Sequence, residues 1–170
     1  MKYFLFPLRV LQWLIYLPLH VITVLLRYPL APIAIKYFST PDKLHLTFFK
    51  WLETTDATLQ GDAGWLTHIE PGSDPLSDTN RRGWVKRNGA QSLTYRWFGV
   101  KFDKEWADSI IPTSKGKIFF IRNDGAWLLF IDNKPLFGRY FTLFMGWGIR
   151  SQLNGKSKIS CTVRLKAKRG

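Results

Sequence analysis

The sequence predicts an α+β fold: an apolar N-terminal helix, then short helices, then an antiparallel β-meander of four to six strands. Three observations predict it. Residues 1–38 contain no acid and read as one apolar stretch. Residues 39–91 are rich in capping and turn residues. Beyond residue 91 the apolar side chains alternate with polar ones, with turn signals between the runs. A chain of 170 residues suits one compact domain plus an appendage. The expected division is an anchor over 1–38 and a basic, aromatic-rich domain over 39–170, helical or looped to 91 and β from 92.

The N-terminal stretch carries four basic residues: Lys2, Arg9, Arg27 and Lys36. Between Arg9 and Arg27 lie 17 residues without formal charge. Crossing a hydrocarbon core takes about 20 apolar residues, so this run becomes long enough only when it includes Arg9, whose side chain can snorkel. Pro29 and Pro32 are expected to break or kink the helix. Two geometries follow. One is a tilted spanning helix from about Phe4 to Leu26 with a kinked interfacial piece after it. The other is a re-entrant hairpin bent near Pro18 or Pro29. In both, Trp13, Leu14, Ile15, Tyr16, Leu17, Val21, Ile22, Val24, Leu25 and Leu26 form the membrane anchor. A cleaved signal peptide fits less well, because Pro18 and His20 interrupt the apolar region and Ala31-Pro32-Ile33-Ala34 is a poor cleavage site. A buried core helix is the other competing reading, against which the acid-free start argues.

The net charge is +13, from 25 Lys and Arg against 12 Asp and Glu. Such a chain is drawn to anionic lipid, nucleic acid or acidic protein. Lys and Arg following the anchor bias the C-terminal side toward the cytoplasm. The single cysteine, Cys161, excludes an intrachain disulfide and multi-cysteine zinc sites. Its alternating neighbours, Ile159 to Val163, make it a buried small residue in this reading.

Ser39-Thr40-Pro41-Asp42 reads as a helix start, with Leu44, Phe48, Trp51 and Leu52 on one face of a helix over about 41–53. Asp78-Thr79-Asn80 can cap a second helix over about 80–90. Arg81, Arg82, Trp84, Lys86 and Arg87 then make a dense positive patch, suited to headgroups or a protein partner and, less readily, to nucleic acid. The C-terminal Arg164, Lys166, Lys168 and Arg169 extend the same chemistry; from Arg150 onward there are seven basic residues and no acid. Leu93 to Phe102 alternates like a strand. Lys117–Arg122 and Ala126–Ile131 flank Asp124-Gly125, a strong hairpin signal. Asp132-Asn133-Lys134-Pro135 is the next expected turn. The last strands, Arg139–Ile149 and Lys158–Lys166, join near Asn154-Gly155.

Chemistry-bearing motifs are missing. There is no phosphate loop, dinucleotide glycine motif, G-x-S-x-G or H-E-x-x-H. The Asp residues beside Thr, Gly and Pro match no calcium loop and suit turns. No catalytic residue, cofactor or metal is therefore expected.

Four segments resemble a family of uncharacterised tailed-bacteriophage membrane-associated proteins. They are Tyr28-Pro29-Leu30-Ala31-Pro32, Thr55-Asp56 through Gly61-Asp62-Ala63-Gly64-Trp65, Trp84-x-x-Arg87-Asn88 and Phe144-Met145-Gly146-Trp147-Gly148-Ile149. The resemblance implies a phage-encoded protein at the host inner membrane and brings no catalytic residues. The functional expectation is a non-enzymatic anchored protein. Its cytoplasmic basic domain would meet anionic lipid and a host or phage protein. The alternatives are a structural virion component and, less favoured, a tethered nucleic-acid-binding module.

Overall fold

The computed structural model describes residues 2–110, 117–137 and 139–167. The order is α1 (Lys2–Tyr37), a 3₁₀ turn (Lys50–Leu52), α2 (Ala63–Leu66), α3 (Asp78–Asn88), α4 (Gln91–Arg96), β1 (Val100–Lys101), α5 (Lys104–Ile110), β2 (Lys117–Ile121), β3 (Trp127–Leu136), β4 (Arg139–Leu153) and β5 (Lys156–Ala167). The expected class holds: a long apolar helix, short helices, then an antiparallel sheet. The chain forms two compact units, Met1–Pro18 with Phe98–Gly170, and Leu19–Trp97. α1 supplies its first half to one unit and its second half to the other.

α1 is unbroken over 36 residues, about 54 Å at 1.5 Å per residue. The re-entrant bend expected near Pro18 or Pro29 does not occur. Prolines in a helix interior each remove one hydrogen bond, so side-chain packing must hold this helix together, as described for each unit below.

In the first unit the sheet order is β1-β5-β4-β3-β2, antiparallel throughout. The pairs Phe119↔Leu129, Leu129↔Met145 and Met145↔Cys161 place these residues on one face, with Trp127, Trp147 and Ile159. The first half of α1 packs on this face. Phe6 meets Phe119 and Trp127 edge-on at 5.8 and 6.4 Å. Trp13 lies 5.2 Å from Trp127, and its Nε1 donates to the carbonyls of Gly146 and Ser160 at 3.2 and 3.3 Å. Gly125, at φ +81°, lets the β2–β3 turn approach α1: a Cβ there would stand 2.6 Å from the Leu5 carbonyl carbon. The opposite sheet face holds Leu128 and Phe130, packed against Phe120, Phe144 and Trp106 of α5.

Hairpin turns at Asp124-Gly125 and Asn154-Gly155 fall where expected. The turn expected at 132–135 does not. β3 runs through it with a bulge between Ile131 and Lys134, and the chain turns at Phe137, which has φ +48°. Leu93–Phe102 is also not one strand. Ala90 adopts a left-handed conformation (φ +67°) and starts α4, where the Thr94 hydroxyl donates to the Ala90 carbonyl. Burial of Ser92, Thr94 and Tyr95 then selects a helix over alternation.

In the second unit Ala31, Ala34 and Ile35 of α1 are fully buried with Leu46, Leu52, Leu59, Trp84 and Val85. The two alanines let the neighbouring backbone come close. The helix expected over 41–53 is reduced to the 3₁₀ turn. Asp42 Oδ1 instead accepts from the Leu44 N–H, Lys43 is left-handed, and Ser39 bridges Leu46. Local side-chain-to-backbone bonds of this kind compete with helix formation. The Glu53 carboxylate is buried and accepts from the Leu46 N–H and faces His45 Nδ1. α3 forms near its expected place but starts at Asp78 and is capped by Ser77, so the expected cap Asp78-Thr79-Asn80 is its first turn; Asp78 there and Lys86 and Arg87 in the last turn complement the helix dipole.

Candidate membrane interface

The polarity of α1 is inverted. Every exposed residue from Tyr3 to Ile33 is apolar, aromatic or proline. Every polar or charged residue between them (Arg9, Gln12, His20, Thr23 and Arg27) is half-buried on the protein side. Water-soluble proteins put these classes the other way round. A helix buried in a core would hide the outward side chains, yet only 6% of the most apolar 18-residue window is buried.

Each inward polar side chain makes at least one hydrogen bond, while the buried Arg27 Nε makes none among the described residues. In the first unit Arg9 donates from Nε to the Asp124 carbonyl at 3.1 Å and from Nη1 to Gln12 at 2.6 Å. Arg122 grips the Asp124 carboxylate with two bonds of 2.8 and 2.6 Å. Partial burial pushes the Asp124 carboxyl up. The Arg122 hydrogen bonds, the Ala126 N–H and the charges of Arg122 and Arg9 outweigh that and hold it below the ordinary range. In the second unit His20 Nδ1 lies 3.1 Å from the Thr94 hydroxyl. Arg27 donates to the carbonyls of Arg87 and Gly89, both at 3.2 Å.

Six of the expected anchor residues (Leu14, Ile15, Val21, Ile22, Leu25 and Leu26) lie on the bare face, each between 42% and 61% exposed. Trp13 is buried at 3% exposure, and Tyr16, Leu17 and Val24 are half-buried. Trp13 and Tyr16 hold the first half of the helix to its unit, Tyr16 through a ring contact with Phe98 at 5.2 Å. Phe4, Leu8, Leu11 and Ile33 belong to the bare face as well. Their signal was in the sequence, in the helical phase of Arg9, Gln12, His20, Thr23 and Arg27. At the C-terminal end of α1 the Lys36 ammonium sits over the Tyr37 ring at 5.0 Å. Phe38, Phe48 and Phe49 cluster there with centroids 5.0–5.9 Å apart, and Phe48 is exposed. Cations beside aromatic rings are the chemistry of the headgroup level.

The expected basic patch divides. Trp84 is fully buried and Arg81 nearly so. The Arg81 guanidinium bonds Asp78 at 2.6 Å and Ser39 at 2.8 Å. The hydrogen bond from Arg81, helped by the charges of Arg81, Arg82 and Lys43, outweighs the opposing effect of burial and holds Asp78 below the ordinary carboxylate range. Arg82 is half-buried and also pairs with Asp78. Only Lys86 and Arg87 of this set are well exposed. Arg164 and Lys166 are exposed on β5, while Lys168 and Arg169 lie outside the described residues. A cleft of about 540 Å³ in the second unit is lined by His45, Glu53, Asp56 and Arg96 among others; Glu53 is committed there to fixing its own loop. Among the described residues no three His, Cys, Asp or Glu side chains are grouped to hold a metal.

An α+β protein with an outward-apolar helix along its surface is the class that these features define. The chain belongs to a family of unknown function (DUF7338), whose model matches residues 5–169. No curated protein and no solved structure matches it.

Proposed function

We propose that this is a non-enzymatic membrane-bound protein held on an anionic bilayer by α1, which lies along the interface instead of crossing it. The inverted polarity of α1 carries the reading. A further argument favours lying over spanning. Pro18 and Pro29 deprive the Leu14 and Leu25 carbonyls of their i+4 donors, on the outward side. Such carbonyls are tolerated where water reaches them and are costly deep in lipid.

A helix lying in one leaflet leaves the whole body on one side. The net charge of +13 suits the negatively charged cytoplasmic leaflet, at about 1 kcal/mol per basic residue near the surface. From the host inner membrane the body would engage a host or phage protein. Burial of Trp84 removes the ring on which the nucleic-acid alternative was read, so that alternative loses support. A virion component would cover the same helix face with protein instead of lipid.

Flotation of the full chain with vesicles tests the proposal. The protein is expected to float with phosphatidylcholine–phosphatidylglycerol vesicles, less with phosphatidylcholine alone, and less again at high salt, which screens surface charge. Protein that stays at the bottom of the gradient with both vesicle types would contradict it.

A further inference from the structure

The sheet carries an apolar face that α1 covers only in part. α1 packs over Trp127 and reaches Phe119, and near them Trp147 and Ile159 are buried at 0% and 2% exposure. Further along β4 and β5 the same face continues through Met145, Leu143 and Phe141 and through Cys161, Val163 and Leu165, which the register pairs one to one. None of these six is buried. Val163 is 63% exposed and Leu165 53%. Cys161, expected to be buried, is exposed because this part of the face has no covering layer among the described residues. The opposite face at the same level presents Thr142, Arg164 and Lys166, so the distal sheet is amphipathic with its apolar side bare.

Within this unit three facts identify what covers it. α1 lies on this same face of the sheet, so its outward side chains and the bare sheet face look to the same side. The distal end of the face is rimmed by cations: across the bulge, Lys134 pairs with Phe141 and Leu136 with Arg139, which sets Lys134 and Arg139 on the apolar side, and both are exposed. Beside them the β3–β4 turn presents Phe137 at 96% exposure. Apolar side chains, an aromatic tip and a cationic rim match acyl chains lying under anionic headgroups.

We infer that the distal face of β4 and β5, with the Phe137 tip, is a second lipid-contacting surface, which inserts beside α1 into the headgroup–acyl boundary of an anionic bilayer. The inference rests on the membrane reading of α1 and goes beyond it, since a helix anchor alone would leave the sheet in water.

The native Cys161 is the probe. The full chain labelled there with an environment-sensitive NBD maleimide is mixed with phosphatidylcholine–phosphatidylglycerol vesicles, and flotation is scored on the same sample. The expected result is flotation together with a blue-shifted, brighter NBD emission that resists iodide and is quenched by nitroxide-labelled lipid. Val163→Asp with Leu165→Asp, both at exposed positions, should weaken vesicle binding severalfold with an unchanged circular dichroism spectrum. Flotation with NBD still open to iodide would overturn the inference and leave the α1 anchor standing. NBD shielded from iodide without nitroxide quenching, with pyrene excimer emission from Cys161-labelled protein, would overturn it in favour of a second copy covering the face. Absence of flotation would overturn both.

Discussion

Replacing Ile15 and Ile22 together by glutamate should all but abolish vesicle binding. Both side chains point away from the protein, at 53% and 51% exposure, and neither has a polar neighbour on the outward face. Withdrawing two such side chains from an apolar phase costs about 3 kcal/mol in total, roughly a hundredfold in partition at about 1.4 kcal/mol per decade. The two new charges add to that loss. In solution the same change should be nearly silent: helical circular dichroism and the melting temperature are expected to stay close to the parent. Fluorescence titration with vesicles, alongside thermal melts, checks both halves. Parent-like vesicle affinity would remove α1 as the anchor.

Trp84→Ala should have the opposite signature. Trp84 looked like a partner-binding ring because four basic residues surround it in sequence. It is instead fully buried in the core of the second unit with Val85, Leu52 and Ile35. Truncating a buried aromatic of this size costs about 3–5 kcal/mol through lost burial and the cavity left behind. Chemical denaturation should show that loss, and Trp84→Phe should show a smaller one, since the Trp84 Nε1 has no hydrogen-bond partner among the described residues. A stable Trp84→Ala protein that had lost only affinity for a partner would contradict the placement.

The contrast between these residues explains how much the sequence disclosed. The β-hairpins were legible because Asp124-Gly125 and Asn154-Gly155 fix both turn and register locally. The apolarity of α1 was legible from the absence of acids, and its apolar exposed face was latent in the phase of Arg9, Gln12, His20, Thr23 and Arg27. Its continuity past Pro18, Pro29 and Pro32 was not, because it depends on tertiary packing of Trp13 in one unit and of Ala31, Ala34 and Ile35 in the other. Residues 41–53 and 93–102 misled for a related reason. Short apolar patterns fit helix and strand alike; Asp42 and Ala90 decided the outcome through a side-chain bond and a left-handed backbone. The bare sheet face could not be read at all from one strand. Val163 and Leu165 alternate as core residues do, and only the extent of α1 shows that nothing among the described residues covers them.

The central claim is that α1 lies in one leaflet with its outward face in lipid. Spin labels on single cysteines at Leu11, Ile15, Ile22 and Ile33, in a Cys161→Ser background on anionic vesicles, measure it directly through oxygen and nickel-chelate accessibility. All four positions are expected at a similar shallow depth, about 5–10 Å below the headgroups. Depth that rises to the bilayer centre near Ile15 and Ile22 and falls toward the two ends would mean a spanning helix and would contradict the account.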